Sequence, residues 1–228
     1  MQIPTATAVW ERLSYDSEAM SRRAFVMLLT FWVAAGIGVS ATCAVISLDW
    51  QLSWQLFVGT IIVTIAGVLI SGASRHPALS LLGYAMIVVP FGLMTGPVVA
   101  HYTTASVFKV LAVTGGMVVG LGIVGAIWPR SLQHWGVWLF GMLLALLLGM
   151  VVTIVAGAFG INVQGATHFW DWAAIALFSG FVIFDLNRAM QVERTHNNAL
   201  HCAVAIYLDF INIFYHLLSL FGTPAKKD

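Results

Sequence analysis

Apolar residues fall into long unbroken runs along this chain, and the runs are separated by short clusters of charge, proline and glycine. A run of about 20 apolar residues is the length at which a helix crosses the hydrocarbon of a bilayer. Seven can be marked, near residues 24–47, 54–74, 78–100, 106–128, 136–159, 172–191 and 199–222. Between them lie turns such as Leu48-Asp49-Trp50, Ser74-Arg75-His76-Pro77, Trp128-Pro129-Arg130 and Glu193-Arg194-Thr195-His196, too short to carry a domain. The pattern predicts an all-α integral membrane protein with a polar N-terminal segment over 1–23, one seven-helix domain over 24–222 and a short basic tail over 223–228.

Composition narrows the function classes. Of 228 residues 60% are hydrophobic and 8% charged, against roughly 25% charged in a soluble domain, so a water-soluble fold is excluded. The net charge of +1 comes without clustered Lys and Arg, which argues against nucleic acid as a partner. Cys43 and Cys202 sit in apolar runs and form neither a disulfide framework nor a metal knuckle. The first 23 residues are mixed in charge and lack the apolar core of a signal peptide. On alternate sides of the spans the basic residues divide into Arg12, Arg22, Arg23, Arg75, Arg130, Arg188 and Arg194 against Lys109, Lys226 and Lys227. That bias predicts a cytoplasmic amino terminus, and the lack of organelle signals points to a bacterial inner membrane.

Small residues and prolines inside the spans read first as packing. Gly116-xxx-Gly120, Gly122 and Gly125 would let the fourth helix approach a neighbour closely. Pro90 and Pro97 interrupt the third span, with Gly92 and Gly96 between them, and mark either a structural kink or a functional opening. The backbone carbonyls they free need partners, so this segment should face protein or a water-filled cavity.

Two acids, Asp185 and Asp209, fall well inside the predicted spans. An ionised Asp at the centre of a membrane helix costs about 2.5 to 3.5 kcal/mol, so each should be protonated, paired or hydrated. A tight turn between the sixth and seventh spans lets the two carboxyls meet. Around the last span, Asn212, His216, His201, Cys202 and Ser219 share a face with Asp209 about 100° wide, which belongs against other helices or water rather than lipid. Two adjacent carboxyls in low dielectric cannot both ionise cheaply. They form a latch that is bridged by a shared proton at low pH and, at higher pH, either repels or recruits a divalent cation. The alternative is a buried ion pair of Asp185 with Arg188, three residues on, or with Arg75. No metal-ligand spacing stands out among the histidines.

At these residues the sequence resembles a known family. Ile183-Phe184-Asp185-Leu186-Asn187, Ile206-Tyr207-Leu208-Asp209-Phe210-Ile211-Asn212-Ile213-Phe214 and Leu217-Leu218-Ser219-Leu220-Phe221-Gly222 are similar to the closing signature of the transmembrane Bax-inhibitor-motif family. Weaker agreement runs through Gly92-Leu93, Pro97 and Tyr102-Thr103-Thr104-Ala105-Ser106. The resemblance implies seven helices with the last one central and wrapped by the other six. It also implies a pH-sensitive calcium leak sensed by Asp185 and Asp209, with Ca2+ as permeant or transiently bound ion. Some bacterial relatives instead bind and modulate a membrane-anchored AAA protease, which is the alternative function. Two departures stand out: residues 54–74 contain no acid, and Arg75 is the second span's one basic candidate for engaging the sensor.

The chain is not expected to be an enzyme, and no cofactor is implied. Asp209 follows Tyr207-Leu208 rather than the Gly-x-Gly of presenilin-like proteases, and Thr223-Pro224-Ala225 is not their Pro-Ala-Leu. The seventh span lacks the lysine of a retinal protein. Ser71-Gly72-Ala73-Ser74 has no histidine placed beside it in the sequence.

Overall fold

The computed structural model describes residues 20–74 and 76–226. Residues 1–19 of the polar N-terminal segment, the basic tail's Lys227 and the candidate latch partner Arg75 therefore lie outside the described residues. Among those described there are seven helices: α1 Arg22–Ile46, α2 Trp54–Ala73, α3 Pro77–Val99, α4 Thr104–Ile127, α5 Trp135–Ala158, α6 Gln164–Ala189 and α7 His196–Phe221. Each is long and apolar enough to cross a membrane, and the chain is an integral membrane protein.

The helices start where local chemistry can satisfy free backbone N–H groups. Ser21 and Ser53 accept from the amides of Ala24 and Leu56, both at 3.2 Å. Thr195 accepts from Asn198 N at 3.2 Å ahead of α7. Pro77 opens α3 at a position that needs no donor. The largest departure from the expected spans is α6, which begins at Gln164 rather than near 172. Hydropathy ends a span at His168 and Asp171, whereas the helix carries both because Asp171 finds polar partners on α7.

The helices fall into two compact units, one of α1–α3 with α7 as far as Tyr207, the other of α4–α6 with α7 from Leu208. In the first, α3 packs against α1 and α2 through small residues. A Cβ on Gly92 would fall 2.7 Å from Ser40 Cα, and one on Gly96 would fall 2.5 Å from Ala44 O. α3 runs unbroken through Pro90 and Pro97, and Pro97 is fully buried, so its surroundings are protein as expected. Ser40 Oγ donates to Val88 O at 2.8 Å and lies 2.6 Å from the hydroxyl of Tyr207, which is 0% exposed. Ring contacts link Tyr207 edge-on to Tyr84 and Phe91.

In the second unit α6 packs against α4 and α5. Gly122 and Gly125 do act as close-approach positions, facing Leu186 and the Ile183 carbonyl of α6. Gly116 and Gly120 do not: a Cβ on either meets nothing within 4 Å among the described residues. A Gly-xxx-Gly spacing places two glycines on one face without saying which way that face points, and here it is exposed. Across the α5–α6 seam Gly149 admits the indole of Trp170, whose Nε1 donates to Thr153 Oγ1 at 2.8 Å.

These glycines should separate cleanly in stability measurements. Gly125→Ala drives a methyl into the Ile183 carbonyl and should cost about 1 to 3 kcal/mol, whereas Gly116→Ala should stay within about 0.5 kcal/mol of the parent. Thermal unfolding of the detergent-solubilised variants checks both.

Candidate functional site

Asp185 lies four residues before the end of α6, and Asp209 lies thirteen after the start of α7. Both are buried, at 9% and 4% exposure. Their carboxyl groups are joined by a hydrogen bond. Two ionised carboxylates are acceptors only, so this bond requires a proton on one of them. Arg188 Nη1 lies 3.8 Å from Asp185 Oδ1, one helical turn away. Asp209 Oδ2 has no hydrogen-bond partner among the described residues. The sequence offered a carboxyl pair and an Asp185–Arg188 ion pair as alternatives, and the geometry holds both at once.

Two residues beyond Asp185 the side chain of Asn187 points about 200° further round the helix, and it is 2% exposed. Its Nδ2 faces the carbonyls of Gly125 at 3.2 Å, Arg130 at 3.1 Å and Trp128 at 3.4 Å, and its Oδ1 accepts from Leu132 N at 3.0 Å. One amide thus ties α6 to the turn between α4 and α5. In the sequence Asn187 stands out only as part of the Asp-Leu-Asn motif, and nothing there shows which backbone groups it serves.

The polar stripe of α7 does not converge on the aspartate pair. Asn212 Nδ2 donates to Leu208 O of its own helix at 2.7 Å. His216 Nδ1 lies 2.8 Å from Asp171 Oδ1, and Ser219 Oγ donates to Asp171 Oδ2 at 2.8 Å. The expectation that two acids lie inside the spans is thereby corrected: Asp171 is a third, within α6 and 9% exposed. His201 belongs to the first unit, where its Nδ1 lies 3.3 Å from Ser71 Oγ. The fold supplies Ser71 with the histidine that its own stretch of sequence lacks, but Ser71 is 1% exposed, out of reach of a substrate. Among the described residues no three His, Cys, Asp or Glu gather as metal ligands.

A family model described as Bax1-I, inhibitor of apoptosis-promoting Bax1, matches residues 22–226. The chain belongs to the Bax1-I family. Similar relatives include a protein of Caulobacter vibrioides, 30% identical over 73% of this chain and 67% of its own length. A membrane protein of Vibrio cholerae is 25% identical over 98% of this chain and 97% of its own. The inner membrane protein YbhL of Escherichia coli K12 is 27% identical over 58% of each chain. In this Bax1-I chain the Asp-Leu-Asn of α6 sends its acid to Asp209 and its amide to the α4–α5 turn.

Asn187→Ala leaves several buried carbonyls and one amide without their partner, and should cost about 2 to 3 kcal/mol. Asn187→Asp should be at least as harmful, because a carboxylate cannot donate to the three carbonyls. Thermal unfolding in detergent checks the first, and comparison of the two variants checks the direction of the donated bonds.

Proposed function

We propose that this Bax1-I protein is a pH-sensitive cation leak, with calcium the leading permeant ion, gated by Asp185 and Asp209. One observation carries the reading: two buried carboxyls on α6 and α7 share a hydrogen bond that exists only while one of them holds a proton. While the proton is present, the pair holds two membrane helices together. Its loss as pH rises leaves two anions face to face with one guanidinium, and repulsion in low dielectric opens the contact or admits a hard cation that prefers carboxylate oxygens. Charged residues inside membrane helices are the usual markers of ion and proton pathways. In the same reading α7 is the central helix, supported by its having the most buried span, 56% against 17% for α2 and for α5. The amino terminus is cytoplasmic, the membrane is a bacterial inner membrane, and the protein carries out no catalysis.

Purified protein in liposomes loaded with a calcium-sensitive dye tests this directly. Flux should rise as pH is taken from acid to neutral. Asp209→Asn keeps an N–H donor aimed at Asp185 at every pH, so its flux should stay at the acid level throughout. Native protein that passes no calcium at any pH would sink the proposal and favour a role through protein partners, such as a membrane-anchored protease.

A further inference from the structure

We propose that Asp171, His216 and Ser219 form a second proton-binding site, separate from the aspartate pair and placed towards the other end of the contact between α6 and α7. Asp171 precedes Asp185 by 14 residues, about 21 Å along α6, and His216 and Ser219 follow Asp209 by about 11 to 15 Å along α7. On consecutive spans these shifts run in the same direction. Buried apolar side chains separate the two sites: Ile175, Phe178 and Val182 on α6, and Ile213 on α7. Asn212 lies in that interval too, but its amide is turned to its own helix. The interval between the two sites is therefore largely apolar among the described residues.

The chemistry is that of an aspartate orienting an imidazole. Both Asp171 oxygens are engaged, one facing His216 Nδ1 and one receiving the Ser219 hydroxyl. Nδ1 is thereby the protonated nitrogen, and Nε2 is left as the acceptor. Nε2 makes no hydrogen bond among the described residues, while the His216 side chain keeps 17% of its surface open. A proton taken up at Nε2 would give an imidazolium that pairs with the carboxylate already held at 2.8 Å.

The neighbouring segments carry few competing charges. Tyr102, just before α4, has its phenol pushed above the ordinary value of 10, first by burial and then by the charge of Asp171. Lys109, the titratable residue of α4, is exposed, as is His168 on α6, and α5 carries none. The frame is fixed by the end of the chain. The Tyr102 ring lies against Gly222, where a Cβ would strike it. Thr103 N donates to Thr223 O at 2.8 Å, and Thr223 N donates to Ser106 Oγ at 3.1 Å.

The test uses the full-length protein in lipid nanodiscs, with 15N-labelled histidine followed by NMR from about pH 5 to 8, the range in which imidazole exchanges its proton. One titrating imidazole signal should be absent from His216→Gln. In Asp171→Asn the same signal should persist with the proton bound more weakly, because the carboxylate at 2.8 Å is gone. A second readout is the phenolate absorbance of Tyr102, taken as native minus Tyr102→Phe. In Asp171→Asn that phenol should ionise at lower pH, because the neighbouring anion is gone. A histidine titration unchanged by His216→Gln, or a His216 proton affinity unchanged by Asp171→Asn, would overturn the assignment. Should Asp171→Asn not fold, the loss of the signal in His216→Gln decides alone. No ion flux enters these measurements, so failure of the leak leaves this site standing and failure of this site leaves the leak untouched.

Discussion

Hydrocarbon offers no hydrogen-bond partners, so a carboxyl group carried into a membrane helix has to find its partners in something else the chain carries in with it. The contact between α6 and α7 meets that requirement twice, by different chemistry. Asp185 and Asp209 use a proton between them and a guanidinium one turn away. Asp171 uses an imidazole and a hydroxyl. Each solution works only while polar side chains of α7 face protein, and that demand fits the greater burial of α7 than of α2 or α5. α2 and α5 carry no buried acid, and nearly all the large side chains they expose are apolar.

The seven spans were legible because transfer of apolar side chains sets helix length almost by itself, and six of the seven starts lie within three residues of the pattern. The exception, α6, fails for a physical reason. Asp171 and His168 read as the end of a span to any measure that scores residues one at a time, and the partners that make Asp171 tolerable lie 45 and 48 residues away. The same blindness explains the glycines of α4. Spacing places Gly116 and Gly120 on one face, but which face meets α6 depends on packing, and the close approach falls at Gly122 and Gly125 instead. Asp185 and Asp209 were legible from the cost of placing acids among apolar residues. His216 was legible as polar, yet its partner was not, because a helical projection fixes direction around one axis and says nothing about what stands opposite.

The segment around Asp185 shows how a short motif serves two ends. Residues two apart on a helix point about 200° from each other, so Asp185 and Asn187 cannot share a neighbour. The amide grips the α4–α5 turn through backbone groups on both sides of Arg130, and this fixes the rotation of α6 about its own axis. The direction in which the Asp185 carboxyl points is therefore set by a residue that never touches it. The last turn of α7 is held in a comparable way by the Tyr102 ring and the backbone bonds of Thr103 and Thr223.

The position of Asp209 has an electrical consequence. Thirteen residues of α7 precede it and twelve follow, so its carboxyl stands at the midpoint of a membrane-crossing helix. On the proposed reading, a proton that reaches the pair moves through part of the transmembrane field, the smaller part from the face at which α6 ends four residues beyond Asp185. At about 2.3 kcal/mol per unit charge per 100 mV across the whole membrane, each tenth of the field crossed contributes about 0.2 kcal/mol per 100 mV. If the pair exchanges its proton as proposed, membrane voltage enters its occupancy alongside the pH on either face.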